Sequence, residues 1–158
     1  MSSIDCSGPW GEDFQYFNDN YPSDLGHQIL SDCVITDMEF QEAMLEIKRC
    51  YENDGFTVTY DAYGFETVES LTGSGDPMEQ MTKCAFADGG VVALFYMMLR
   101  NPDNVSEEVL ITECLIRVGV VEPGFSSQEF ERVMQTGETP WDEDDVRVRE
   151  CFKNPLGL

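Results

Sequence analysis

The six cysteines are the residues of this chain whose chemistry is most restrictive. They are Cys6, Cys33, Cys50, Cys84, Cys114 and Cys151. No two are spaced C-x-x-C, and His27 is the one histidine of the chain, so the usual ligand sets of structural zinc cannot be assembled. An even number of widely spaced cysteines in a small acidic chain indicates three disulfides, although six cysteines allow fifteen pairings. The alternative is six buried thiols in a cytosolic protein.

Catalytic motifs are not recognisable in the sequence. His27 has no G-x-S-x-G elbow beside it, and the loop TGSGDP at residues 72–77 lacks the lysine of a phosphate-binding loop. The run DEDD at residues 142–145 could hold a divalent cation, but consecutive side chains of a helix point in different directions, so we interpret it as a helix start. We therefore expect no metal, no cofactor and no catalytic residue. The sequence favours a non-catalytic protein over an enzyme whose site is assembled from scattered residues.

Net charge restricts the partners that the chain can bind. Against 31 Asp and Glu stand nine Lys and Arg, which gives a formal charge of −22. Nucleic acids and anionic membrane surfaces both require a basic patch, so direct binding to either is excluded. Such acidity is compatible with a solvated extracellular surface, with adaptation to high salt, or with an inhibitor that imitates nucleic-acid charge. The cysteines favour the extracellular interpretation.

One apolar segment bears on whether the chain spans a membrane, and the N-terminal segment bears on export. VVALFYMML, residues 91–99, is too short to span a bilayer, which takes roughly 20 residues, and predicts a core helix instead. The N-terminal segment MSSIDCSGPWGEDF has no basic start and no apolar run, so we expect that an export signal has been removed. Cys6 would suit the lipid-carrying first residue of a mature lipoprotein, but the preceding Ser-Ile-Asp is no lipobox. We therefore expect an extracellular or cell-surface location without a transmembrane segment.

Local patterns predict a mainly α fold of the α+β class, a small disulfide-stapled helical domain with one short β-hairpin near residues 56–71. Apolar spacings and capping boxes at Thr36 and Ser126 predict helices from 23 to 31, after 36, from 78 to 86, from 91 to 100, after 107, after 126 and after 140. The alternating segment FTVTYDAYGFETVESL predicts the hairpin, with Phe56, Val58 and Tyr60 on one face.

A cysteine five residues ahead of a glycine that is followed by a hydrophobic residue occurs in CYENDGF at 50–56 and CLIRVGV at 114–120, and a looser form occurs in CAFADGG at 84–90. A glycine directly after a helix supplies the left-handed residue that ends it. The cysteine then lies in the last two turns, on the buried stripe. The motif predicts two helix ends held by disulfides.

The first 21 residues show no sustained period, and we predict an irregular aromatic arm at 1–21 before a single helical domain at 22–158. The aromatic side chains of this arm are a candidate contact patch; they are Trp10, Phe14, Tyr16 and Phe17. The alternative is that these rings pack on the core of the domain itself.

Five short motifs resemble a family of uncharacterised secreted proteins and lipoproteins of actinobacteria. They are ITDMEF at a helix start, C-x4-G-F, the Y-x4-NP of FYMMLRNP, ECL-x3-G-V, and a terminal C-x2-NPLG, within residues 25–157. The resemblance implies export and disulfides. Cys6 and Cys33 depart from its pattern, which suggests that they pair with each other. The remaining four cysteines are then the set common to the family, and among their pairings we expect Cys50 with Cys84 and Cys114 with Cys151.

The function that these observations favour is that of a secreted or cell-surface, disulfide-bonded domain that binds an unidentified partner or surface component. The alternative is an acidic inhibitor that occupies the basic groove of a nucleic-acid enzyme. The inhibitor predicts binding that is lost with salt, whereas the extracellular domain predicts dispersed acidic residues.

Overall fold

The computed structural model describes residues 4–158, and this range forms eight α-helices and one antiparallel pair of strands. Their bounds are α1 (Gly11–Asn20), α2 (Asp24–Leu30), α3 (Asp37–Asn53), β1 (Phe56–Tyr60), β2 (Glu66–Ser70), α4 (Pro77–Cys84), α5 (Val91–Arg100), α6 (Glu107–Arg117), α7 (Ser127–Thr136) and α8 (Val146–Lys153). The predicted α+β class and the predicted hairpin are confirmed.

The chain separates into two compact units, of which the first extends to Leu99 and the second begins at Arg100. The predicted organisation is an irregular arm at 1–21 followed by a single helical domain at 22–158. Each unit has its own core of buried apolar side chains. Composition gives little signal at this point, because the residues directly around position 100, LRNPDNV, are not rich in glycine or serine.

Helix α3 organises the first unit, and it begins at the predicted capping box. Oγ1 of Thr36 accepts a hydrogen bond from the amide of Glu39, and the Glu39 carboxylate accepts one from the amide of Thr36. The helix then buries a face at spacings of three and four, formed by Ala43, Met44, Ile47 and Tyr51. Gly55 follows the helix with φ of 80°, as the C-x4-G motif predicts.

Residues 11–20 form helix α1, so the prediction of an irregular arm is wrong for this segment. Trp10, Phe14 and Phe17 follow one another at helical spacing, and all three are buried in the core of the first unit. Burial of such a ring stabilises by about 1.5 to 3 kcal/mol. That gain compensates for an N-terminus at which Trp10 makes no side-chain capping bond.

The second unit packs α6, α7 and α8 around a small core. Its fully or nearly buried members are Ile111, Cys114, Leu115, Phe130, Val148 and Cys151. Helix α6 ends before Gly119, and the amide of Val120 donates to the Leu115 carbonyl at 2.9 Å, so the chain folds back on the last turn. The Arg100 guanidinium donates to the Phe152 carbonyl at 2.8 Å, which satisfies an acceptor at the end of α8.

Three disulfides join the six cysteines, all of which lie in the described residues: Cys6–Cys33, Cys50–Cys84 and Cys114–Cys151. These are the three pairs that we expected from the sequence. The first two lie in the first unit, where Cys50 of α3 is bonded to Cys84 of α4. The third bonds α6 to α8 in the second unit. The sulfur of Cys6 is therefore bonded to that of Cys33.

Within residues 4–158, none of the helices combines the length and the apolar character needed to cross a membrane.

Candidate functional site

The β-hairpin of the first unit brings a carboxylate onto the same face as its buried apolar residues. Tyr60 is paired with Glu66 in the register of the two strands, and Val58 is paired with Val68. Because side chains alternate along a strand, Glu66 projects to the side on which Phe56 and Val58 are buried. The Tyr60 hydroxyl donates to Oε2 of Glu66 at 3.3 Å.

The turn between the strands is built around Asp61 and Gly64. Oδ1 of Asp61 accepts hydrogen bonds from the amides of Tyr63 at 2.9 Å and Phe65 at 3.0 Å. Gly64 has φ of 88°, and a Cβ atom there would overlap the ring of Tyr96 from helix α5. The glycine is thus required twice, by its backbone conformation and by the ring that lies against it.

A cavity of about 230 Å³ lies between this hairpin and the helices of the first unit. Its walls combine apolar and aromatic side chains with one carboxylate, contributed by Ile47, Tyr60, Gly64, Phe65, Glu66, Ala85, Phe86, Val92, Ala93 and Tyr96. Ile47 and Val92 are buried, whereas Phe65 and Phe86 are exposed. A largely apolar concave surface with few convergent polar groups is the usual form of a small-molecule site.

Burial dominates the electrostatics around the carboxylate. Removal from water raises the pKa of Glu66 above its ordinary value, and the hydrogen bond from Tyr60 and the nearby Tyr51 hydroxyl counteract this only in part. Burial, followed by the charge of Glu66, also raises the pKa of Tyr60. Tyr60 therefore remains protonated and acts as a hydrogen-bond donor at neutral pH.

Tyr51 of α3 adds a second hydroxyl close to Glu66. Its side chain is fully buried, and burial together with the Glu66 charge raises the pKa of Tyr51 to about 12. The hydroxyl lies close enough to feel that charge, but it makes no hydrogen bond of acceptable geometry within residues 4–158. Tyr51 is not among the residues that line the cavity, so its hydroxyl acts through its proximity to Glu66 and not by contact with a ligand.

Asp88 is a second buried carboxylate of the first unit, and its role is structural. Its two oxygens accept hydrogen bonds from the amides of Gly90 at 2.9 Å and Val92 at 2.7 Å. These bonds satisfy donors at the start of α5. Burial nevertheless raises the pKa of Asp88 above its usual range.

The four aromatic residues proposed as a contact patch do not form one. Trp10, Phe14 and Phe17 are 7%, 2% and 7% exposed, and only Tyr16 of the four is well exposed, at 55%. The physical reason is that α1 turns the first three rings to the same side, where they join the core. The alternative interpretation, packing on the protein's own core, is the one that the structure supports.

The other residues considered for chemistry have structural roles. Nδ1 of His27 forms a hydrogen bond with Oδ1 of buried Asn18 at 2.8 Å. Asp145 is the N-cap of α8 and accepts from the amide of Arg147, so the capping interpretation applies to the last residue of the DEDD run. Among the described residues, no three His, Cys, Asp or Glu side chains are arranged to hold a metal ion.

Comparisons with protein-family models, with curated proteins and with solved structures found no match to this chain. Its functional interpretation therefore depends on the geometry of the cavity and on the disulfides.

Glu66 and Tyr96 were not among the predicted site residues. The signal for Glu66 was incomplete, because a loop limited to Asp61–Gly64 would pair Tyr60 with Phe65. The observed loop includes Phe65, which pairs Tyr60 with Glu66 and places both on the face of Phe56 and Val58. Tyr96 had no comparable signal. Its approach to Gly64 depends on how α5 packs against the hairpin.

Proposed function

We propose that this protein is exported and acts outside the cell or at its surface as a binding domain. The observation that carries the proposal is the complete oxidation of the six cysteines into three disulfides distributed over both units. Disulfides form and persist in oxidising compartments and are rare in the cytosol. The resemblance to secreted proteins and lipoproteins of actinobacteria supports the same location.

Binding is favoured over catalysis by the composition of the cavity in the first unit. Aromatic and aliphatic side chains make up most of its lining, and Glu66 and Tyr60 supply its polar groups. Such a lining holds and orients a ligand. The raised pKa of Tyr60 keeps its hydroxyl protonated at neutral pH and makes it a weaker acid, so the pair suits recognition better than proton transfer.

The distribution of acidic residues favours a solvated acidic surface over an inhibitor that imitates nucleic acid. Acidic residues begin helices in both units, with Glu12 and Asp13 in the first turn of α1 and Glu107 and Glu108 in that of α6. There they interact favourably with the helix dipole, so they have a local reason for their positions. An inhibitor would instead bind a basic protein in a manner that salt abolishes.

Labelling of intact producing cells with a membrane-impermeant amine reagent, followed by fractionation, tests the location. We expect the protein in the medium or labelled at the surface through Lys48 and Lys83, both of which are exposed. Recovery in the cytosolic fraction, unlabelled and with free thiols, would contradict export and bring the intracellular inhibitor to first place.

A further inference from the structure

The carboxylate in the cavity lacks a cationic partner. Within residues 4–158, the ion pairs of the first unit join Arg49 to Glu46 and Lys83 to Asp54, and none involves Glu66. The polar groups next to Glu66 are tyrosine hydroxyls. A partly buried carboxylate without a cation is held at a cost in free energy, and a ligand that carried a positive charge would recover part of it.

Aromatic rings surround this carboxylate. Tyr60 and Tyr96 lie with ring centroids 6.0 Å apart and nearly parallel, and Phe65 and Phe86 form the exposed part of the wall. The faces of aromatic rings attract organic cations, and several rings around one carboxylate form the usual environment of a bound ammonium group. Ile47 and Val92 provide an apolar surface for the body of such a ligand.

The volume of the cavity and the net charge of the protein restrict the class of ligand further. The cavity of about 230 Å³ is smaller than the roughly 300 to 1,000 Å³ of typical ligand pockets, which limits the occupant to a small molecule. Anions are repelled by a protein with a formal charge of −22. An inorganic divalent cation would need several oxygen ligands, and one carboxylate beside tyrosine hydroxyls does not supply them.

We propose that this cavity binds a small organic cation, an amine or quaternary ammonium group on an apolar body, with Glu66 as its counter-ion and the rings of Tyr60 and Tyr96 as its walls. The inference deepens the proposed binding function, since it assigns the ligand class of the same cavity. It does not depend on where in the organism the protein is found.

Benzylammonium, its uncharged counterpart benzyl alcohol and the anion benzoate are suitable probes, titrated into the full chain and followed by NMR chemical-shift changes. We expect benzylammonium to bind about tenfold more tightly than benzyl alcohol, and benzoate not to bind. The shifted signals should include Tyr60, Ala93 and Tyr96. Equal affinity for benzylammonium and benzyl alcohol would overturn the proposal.

Two matched variants separate the site from the general attraction of an acidic protein. Glu66→Gln and Glu69→Gln change the net charge equally, but Glu69 is exposed and lies on the other face of β2. Glu66→Gln should lose most of the roughly tenfold preference for the cation, and Glu69→Gln should keep it. An equal loss in both variants would show that net charge alone attracts the probe.

A cavity-filling variant covers the case in which Glu66→Gln does not fold. Ala93→Phe inserts a ring into the cavity and leaves Glu66 in place. It should abolish binding of both benzylammonium and benzyl alcohol, and unchanged binding would overturn the proposal. Surface labelling without cation binding would refute this inference alone, whereas cation binding by a cytosolic protein would refute only the proposed export.

Discussion

At the scale of single residues, Gly64 determines whether the cavity can form. A side chain at this position would cost free energy in two ways, through the left-handed backbone conformation and through overlap with the Tyr96 ring. Gly73 has a similar φ of 75°, but no heavy atom lies within 4 Å of the position that a Cβ would take. Gly73→Ala is therefore a control that introduces only the backbone strain.

We predict that Gly64→Ala destabilises the protein more than Gly73→Ala. The control should cost about 1 to 2 kcal/mol from the left-handed conformation. The variant at Gly64 should cost about 1 to 3 kcal/mol more, because the added methyl group overlaps Tyr96. Denaturant unfolding of both variants measures the difference. Equal midpoints would show that Tyr96 moves away without cost and that its position is not fixed.

Asp88 is the second residue whose side chain alone should contribute strongly to the free energy of unfolding. Asp88→Ala leaves the amides of Gly90 and Val92 buried without acceptors, for which we predict a loss of about 2 to 4 kcal/mol. Asp76 caps α4 from an exposed position by accepting from the amide of Met78, and Asp76→Ala should cost about 1 kcal/mol. Equal losses in chemical unfolding would argue against a buried capping role for Asp88.

At the scale of elements, local signals predicted most helix boundaries. The boxes at Thr36 and Ser126 and the glycines after α3 and α6 depend on a few neighbouring residues, and the structure has them as predicted. Alternation likewise predicted the hairpin, because its strands are sequential and closed by a tight turn.

Features that depend on tertiary packing were predicted less well. Helix α1 has glycine and asparagine at its ends and no N-cap bond, so its local preference is weak. The spacing of Trp10, Phe14 and Phe17 was the signal that could have revealed it. The cavity was not predictable, because its walls come from β1, β2, α3, α5 and the segment after α4.

Each disulfide should stabilise chiefly the unit that contains it. The Cys50–Cys84 and Cys114–Cys151 bonds close segments with sequence separations of 34 and 37, and loops of this size contribute about 3 to 4 kcal/mol in the chain-entropy model. Replacing Cys114 and Cys151 together by alanine should therefore speed amide exchange most in α6 and α8.

The corresponding double variant at Cys50 and Cys84 should speed exchange most in α3 and α4, and hydrogen exchange with mass spectrometry distinguishes the two patterns. Full reduction should lower the melting midpoint sharply. A melting curve unchanged by reduction would contradict a structural role for the bonds.

At the scale of the whole molecule, stability should be greatest on the acid side of neutrality. Burial raises the folded-state pKa of Asp88 and Glu66, so the folded protein holds these protons more tightly than the unfolded chain. Their contribution is complete below the ordinary carboxyl pKa and is lost as the pH rises through the raised values. Repulsion within a chain of charge −22 changes stability in the same direction.

Hydrogen-bonded surface carboxylates oppose this trend at low pH. Hydrogen bonds from Lys83, Ser106 and Arg147 lower the pKa of Asp54, Glu108 and Asp145, whose contribution is lost as the pH falls through those lowered values. Solvent screens these exposed groups, so their effect should be the smaller one. Melting midpoints between pH 4 and 8 should therefore rise on mild acidification from pH 8, more so at low salt. Melting midpoints that fall steadily from pH 8 downward would contradict the claim that the raised pKa values of Asp88 and Glu66 dominate the pH dependence of stability.

The central claim is that the protein functions in an oxidising environment with its cysteines paired. The most direct test is the intact mass of protein isolated from its producing cells, denatured and alkylated with and without prior reduction. We predict that no cysteine is alkylated without reduction and that all six are alkylated after it. Alkylation of all six without reduction would contradict the export proposal and the structural role of the disulfides together.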